Sequence, residues 1–150
     1  MKVYLSIMLL ALLSNITLSN EFFDSQMKLA EQGYAEAQYS LGLMYAKGDG
    51  VPQNDETAAL WYAKAAKQGI AEAQFLLGWS YDIGIGVPQN DKTAVMWYTK
   101  AAEQGIAEAQ HSLGLLYAKG DGVPQNDKTA VMWYTKAAEQ GYVDAQAQVG

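Results

Sequence analysis

The sequence predicts an all-α chain, an α-solenoid built from 36-residue helix-turn-helix repeats. Three observations predict it. The hexapeptide Gly-Val-Pro-Gln-Asn-Asp recurs unchanged at 50–55, 86–91 and 122–127. Ala-Glu-Ala-Gln starts at 35, 71 and 107, and Trp61, Trp97 and Trp133 keep the same phase. On each side of the hexapeptide the apolar residues fall at helical spacing, so the unit is a pair of helices, and a fixed period of this size marks a stacked array.

The chain divides in order. Residues 1–19 read as a cleaved secretory leader: Lys2 supplies the positive start, Val3–Leu13 is an apolar run, and Thr17 and Ser19 precede the expected cleavage. The run falls short of the ~20 residues of a spanning helix, so no membrane span is expected after cleavage. Residues 20–34 end in Lys28-Leu29-Ala30-Glu31-Gln32-Gly33, which resembles the close of the later units and predicts a capping half-repeat. Three full repeats follow, at 35–70, 71–106 and 107–142, and then a partial one at 143–150. The last residue, Gly150, matches Gly42 in phase. Two readings of this ending stay open, a final half-helix that caps the stack and a shortened product.

Within a repeat, Ala37, Leu41 and Tyr45 define one face of the first helix. Gly42, Gly78 and Gly114 interrupt it at a cost of about 1 kcal/mol each relative to Ala, which predicts a contact too close for a Cβ. Gly48 is placed to end the helix in a left-handed conformation, Pro52 prevents its continuation, and Asp55 is expected to cap the second helix. That helix carries Ala58, Trp61, Tyr62, Ala65 and Ala66. The short link makes the pair antiparallel.

Composition excludes several functions. Ten Lys, no Arg and 16 acids give a net charge of −6, unsuited to nucleic acid or anionic membrane, which are held by Lys and Arg. With no Cys, disulfides, thiol chemistry and Cys-based zinc sites are absent. His111 is the only histidine, and a catalytic or metal role would want a second His or a positioned carboxylate beside it. Asp49, Asn54 and Asp55 resemble a calcium loop in composition only, and Ile85 replaces Asp49 in the second unit. The Trp-Tyr pairs at 61–62, 97–98 and 133–134 suit stacking on sugars, but their sameness and phase predict core packing. No metal, cofactor or catalytic residue is expected.

Ala-Glu-Ala-Gln-x-x-Leu-Gly-x-x-Tyr, Gly-x-Gly-Val-x-x-Asp and Ala-x-x-Trp-Tyr-x-Lys-Ala-Ala-x-x-Gly together resemble the Sel-1-like repeat, a relative of the tetratricopeptide repeat. The resemblance covers residues 35 to about 150. It implies a right-handed superhelix, a scaffold or adaptor that binds other proteins, and a first helix that lines the concave groove. Some secreted relatives carry a disulfide in each repeat and are linked to β-lactam binding or hydrolysis; this chain lacks those cysteines.

The second and third repeats are identical at 28 of 36 positions. Six of the eight differences fall in the first helix: Phe75/His111, Leu76/Ser112, Trp79/Leu115, Ser80/Leu116, Asp82/Ala118 and Ile83/Lys119. Positions that bury against neighbouring repeats must match, so the varying ones are expected to face outside the lattice. The stripe Tyr39, Leu43, Lys47, Phe75, Leu76, Trp79, Ile83, His111, Leu115 and Lys119 is the expected partner-binding surface. Phe75, Leu76, Trp79 and Ile83 form its apolar patch. The sequence therefore predicts a periplasmic or secreted, non-enzymatic adaptor that binds a protein or peptide, with self-association through the open C-terminal end as a further expectation. The alternatives are a β-lactamase-like hydrolase and a shortened, inactive copy.

Overall fold

The computed structural model describes residue 18 and residues 20–149, all helix and connecting turn. The expected leader, apart from Leu18, lies outside the described residues. The helix α1 covers 20–31. It is followed by α2 (Ala35–Lys47), α3 (Asp55–Lys67), α4 (Ala71–Ile83), α5 (Asp91–Glu103), α6 (Ala107–Lys119), α7 (Asp127–Glu139) and α8 (Val143–Val149). The α-solenoid of paired helices is the observed architecture. Among the described residues no helix is long and apolar enough to cross a membrane.

Each first helix ends where the sequence places it. Gly48, Gly84 and Gly120 adopt left-handed φ values of 71°, 73° and 80°, which a residue with a Cβ adopts only under strain. The turn is fixed by the backbone amide of Asn54, which donates to the Tyr45 carbonyl at 2.9 Å, a bond repeated from Asn90 to Tyr81 and from Asn126 to Tyr117.

The second helix starts one residue earlier in its capping logic than expected. Asn54, not Asp55, is the cap: its side-chain oxygen accepts from the Thr57 amide at 2.8 Å, as Asn90 and Asn126 do from Thr93 and Thr129. Asp55 sits in the first turn, where its charge favours the helix dipole. Both residues precede the same apolar face. The asparagine wins because its extended backbone aims the side chain at the orphan amides.

Two contacts repeat in every unit. Within a pair, the tyrosine ring of the second helix packs against the glycine of the first: Tyr62 on Gly42, Tyr98 on Gly78 and Tyr134 on Gly114. A Cβ at Gly78 would stand 2.8 Å from Tyr98 Cδ1, the close approach that the glycines predicted. Between pairs, buried glutamines form a ladder. Gln38 donates to the Ala30 carbonyl at 3.2 Å and accepts from Gln68 at 2.8 Å. The same bonds recur through Gln74 and Gln104, and through Gln110 and Gln140. A buried amide that is paired on both sides avoids the desolvation penalty and fixes the spacing of the stack.

The core forms three clusters along the array. Trp97 packs into the cluster of Ala58, Tyr62, Ala65, Ala73 and Leu77, and Trp133 into that of Ala94, Tyr98, Ala101 and Leu113. Each tryptophan thus closes the preceding repeat. Trp61 does the same toward α1, packing on the cluster of Ala30, Ala37, Leu41 and Met44. The Trp-Tyr pairs are therefore packing residues, with Lys64, Lys100 and Lys136 lying over the tryptophan rings. Val131, the copy of buried Val95, is 51% exposed on α7.

Gly78→Ala sets two effects against each other. Helix propensity gains about 1 kcal/mol, whereas forcing a methyl against the Tyr98 ring costs about 1–3 kcal/mol. The expected outcome is a net loss of about 1 kcal/mol in urea unfolding. An equal or higher denaturation midpoint would contradict the close contact.

Candidate functional site

The stripe read from the sequence does not form one uniform surface. Three of its members are rings laid on the tyrosine of their own repeat. Tyr39 meets Tyr62 at 6.4 Å between centroids, Phe75 meets Tyr98 at 5.8 Å, and His111 meets Tyr134 at 5.6 Å. The position accepts any flat ring because its task is to cover the tyrosine that covers the glycine. All three are half-buried, and Lys47 and Lys119 are exposed.

The expectation that varying positions face outside the lattice fails at one place. Ser80 and Leu116, copies of each other, are both buried, as is Met44 at the matching position of the first repeat. They face the preceding helix pair: Met44 packs with α1 residues, and Leu116 joins the cluster around Tyr98 and Leu113. The site tolerates a change of volume because each neighbour differs.

Four of the remaining stripe residues converge at the junction of the first and second repeats. There Leu43 and Lys47 of α2, Tyr62 of α3, and Leu76, Trp79 and Ser80 of α4 line a hollow of about 340 Å³, with Asp55 and Ile85 at its edge. Trp79 is 41% exposed and Ile83, one turn on, 45%. Ile83, Leu115 and Lys119 do not line this hollow. Sequence reasoning missed Ala46, Ser80 and Tyr62 as its walls. The signal for the first two was present in the repeat comparison, as small residues where other units carry Asp82 or Leu116.

Burial pushes the Tyr62 hydroxyl up to about 12, helped by Tyr39 and Asp55, so at neutral pH it is a hydrogen-bond donor and not a base. In the second repeat the Tyr98 hydroxyl donates to Asp82 Oδ2 at 3.1 Å. Burial raises the Asp82 carboxyl above the usual carboxylate range, and the Tyr98 bond opposes that rise. Asn54, part of the supposed calcium loop, spends its side-chain oxygen on the helix cap. Among the described residues no group of three or more His, Cys, Asp and Glu has the geometry to hold a metal ion.

His111 lies between the rings of Tyr134 and Tyr142, and burial lowers its proton affinity against the opposing pull of Asp144. Because the folded-state affinity is the lower one, the unfolded chain takes the proton first as pH falls. The stabilisation is complete above the ordinary imidazole value of about 6.5 and is lost as pH falls from there through the lower folded-state value. Melting midpoints at pH 7.5 and 5.5 should therefore fall further for the native chain than for His111→Phe, the ring that the second repeat carries. Equal falls would contradict this reading.

Comparison with known proteins places the geometry. The Sel1 repeat profile matches residues 35–70, 71–106 and 107–142. The crystal structure of a protective antigen from uropathogenic Escherichia coli, described as displaying an SLR fold, superposes with a TM-score of 0.82 at 46% identity, covering 84% of this chain and 27% of that one. A Sel1 repeat protein from Oxalobacter formigenes gives 0.82 at 42% identity over 91% of this chain and 57% of that one. The cysteine-rich protein B of Helicobacter pylori gives 0.63 at 27% identity, over 80% of this chain and 92% of that one. This chain thus spans about a quarter of the length of the first relative and somewhat over half of the second. Among curated proteins no significant match is found. A profile that matches three consecutive units and fills most of the chain settles the family: the chain belongs to the Sel1 repeat family.

Proposed function

We propose that this chain is a non-enzymatic scaffold of the bacterial envelope or a secreted factor, which binds a protein or peptide along the concave groove formed by its first helices. Sel1 repeats are commonly protein-interaction scaffolds. The observation that carries the reading here is the exposed Trp79, set beside Leu43 and Leu76 on the face where the repeats differ, while the residues that stack the repeats are buried. A large aromatic at the edge of a hollow is the usual form of an interface anchor. The positive start and apolar run of residues 1–13 support export. The acidic, Arg-free composition supports a protein partner over nucleic acid or an anionic membrane.

The reading is tested with the chain as expressed and processed, used as bait in envelope extract beside Trp79→Ala and Ile83→Ala variants of verified helicity. A partner retained by the native chain is expected to bind Trp79→Ala about 30-fold more weakly, a loss of about 2 kcal/mol. Equal retention by all three baits would remove the groove as the binding surface. Hydrolysis of nitrocefin by the purified chain, above a heat-inactivated control, would instead favour the hydrolase alternative.

A further inference from the structure

The repeats create two equivalent seats on this face, one between the first and second units and one between the second and third. Their walls come from matching positions, so any difference between them is a difference of side chains. In the second seat the tyrosine hydroxyl is satisfied within the chain, by Asp82, and the position next to it is filled by buried Leu116. In the first seat those two positions hold Ala46 and Ser80. Neither reaches as far.

The consequence falls on Tyr62. The residue is only 5% exposed, yet among the described residues its hydroxyl has no partner of the kind Tyr98 finds in Asp82. It is not a sealed atom either, and Tyr62 is one of the residues that line the hollow. A nearly buried donor at the end of an apolar hollow is an arrangement completed by a ligand that brings both an apolar group and an acceptor. Asp55 and Lys47 both line the hollow, and Glu56 follows Asp55 in a chain of net charge −6. A cation beside the apolar group is therefore attracted where an anion is repelled.

We propose that the seat between the first and second repeats is the selective pocket of the groove. It takes one large aliphatic or thioether side chain (Leu, Ile or Met) of an extended peptide, and Tyr62 Oη donates to a carbonyl of the peptide backbone. A Lys or Arg close to the anchor faces Asp55. The seat between the second and third repeats is closed by its own Asp82 and Leu116. This rests on the groove-binding reading above and names its ligand class.

The chain carries the means of closing the first seat, because its other repeats show what fits. A random dodecapeptide phage library is panned against the full chain as expressed and processed, and the enriched sequence is synthesised and titrated by fluorescence anisotropy. The expected consensus is Leu, Ile or Met within two residues of Lys or Arg. Tyr62→Phe keeps the ring on Gly42 and removes only the donor, so it should weaken binding about three- to tenfold. Ser80→Leu, the residue found at the matching place in the third repeat, should weaken it by about tenfold or more, whereas Val131→Ala, at an exposed position of α7, should leave it unchanged.

Peptides that bind with affinity indifferent to both Tyr62→Phe and Ser80→Leu would overturn the seat and leave the groove reading standing. An acidic consensus would overturn the charge assignment. A library that yields no binder would overturn the seat and the groove together. Circular dichroism checks the fold of each variant, and Tyr62→Phe decides the matter if Ser80→Leu does not fold.

Discussion

The contact on which the structure depends is a tyrosine ring lying on a glycine, repeated three times. Without a Cβ at Gly42, Gly78 and Gly114, the two helices of each pair come close enough for the ring of Tyr62, Tyr98 or Tyr134 to pack between them. The arrangement sets the angle of the pair and buries most of the ring. It also leaves a second ring, Tyr39, Phe75 or His111, to cover it from the outer side. The glutamine ladder then holds successive pairs at fixed spacing, each amide bonded to the repeat before it and to the helix end after it. Close packing and satisfied buried amides together leave little freedom in how one unit meets the next.

This geometry also explains why the repeats can be so alike and still differ on their first helices. Every interface in the stack reuses the alanines, the glutamine, the tyrosine and the tryptophan, so those positions cannot drift independently. The surroundings of the tyrosine hydroxyls, by contrast, are set by positions outside the shared core. Asp82 satisfies one hydroxyl, and Ala46 leaves another without that partner. A single difference near a fixed donor, Asp82 against Ala46, thus decides whether the chain itself supplies that partner.

The fold is almost wholly legible in the sequence, because a 36-residue period repeats every signal three times. Gly48 and Pro52 mark the turn, and Gly42 marks a close contact, although only the structure names Tyr62 as its other half. The helix cap differs from expectation by one residue, since Asn54 and Asp55 are both good caps and only the backbone direction separates them. The candidate site is legible in part. Comparison of the repeats points to the first helices, and Leu43, Lys47, Leu76 and Trp79 do line one hollow. It does not separate rings that pack on their own tyrosine, such as Phe75, from side chains that stand free, such as Trp79. It also treats Ser80 and Leu116 as surface, whereas both are buried, because variation at a stack interface can track the neighbour's size as readily as a ligand's shape.

Under the proposed function, recognition falls to the first helices at the junction of the first and second repeats, and the second helices serve the lattice. Amide hydrogen exchange on the full chain, with and without a saturating bound peptide, separates these two roles. Slowed exchange is expected to concentrate in α2 and α4, around Leu43–Lys47 and Leu76–Ser80, with α5 and α7 unchanged. Protection centred instead on the outward side of the second helices, at Leu60, Met96 and Met132, would contradict that assignment.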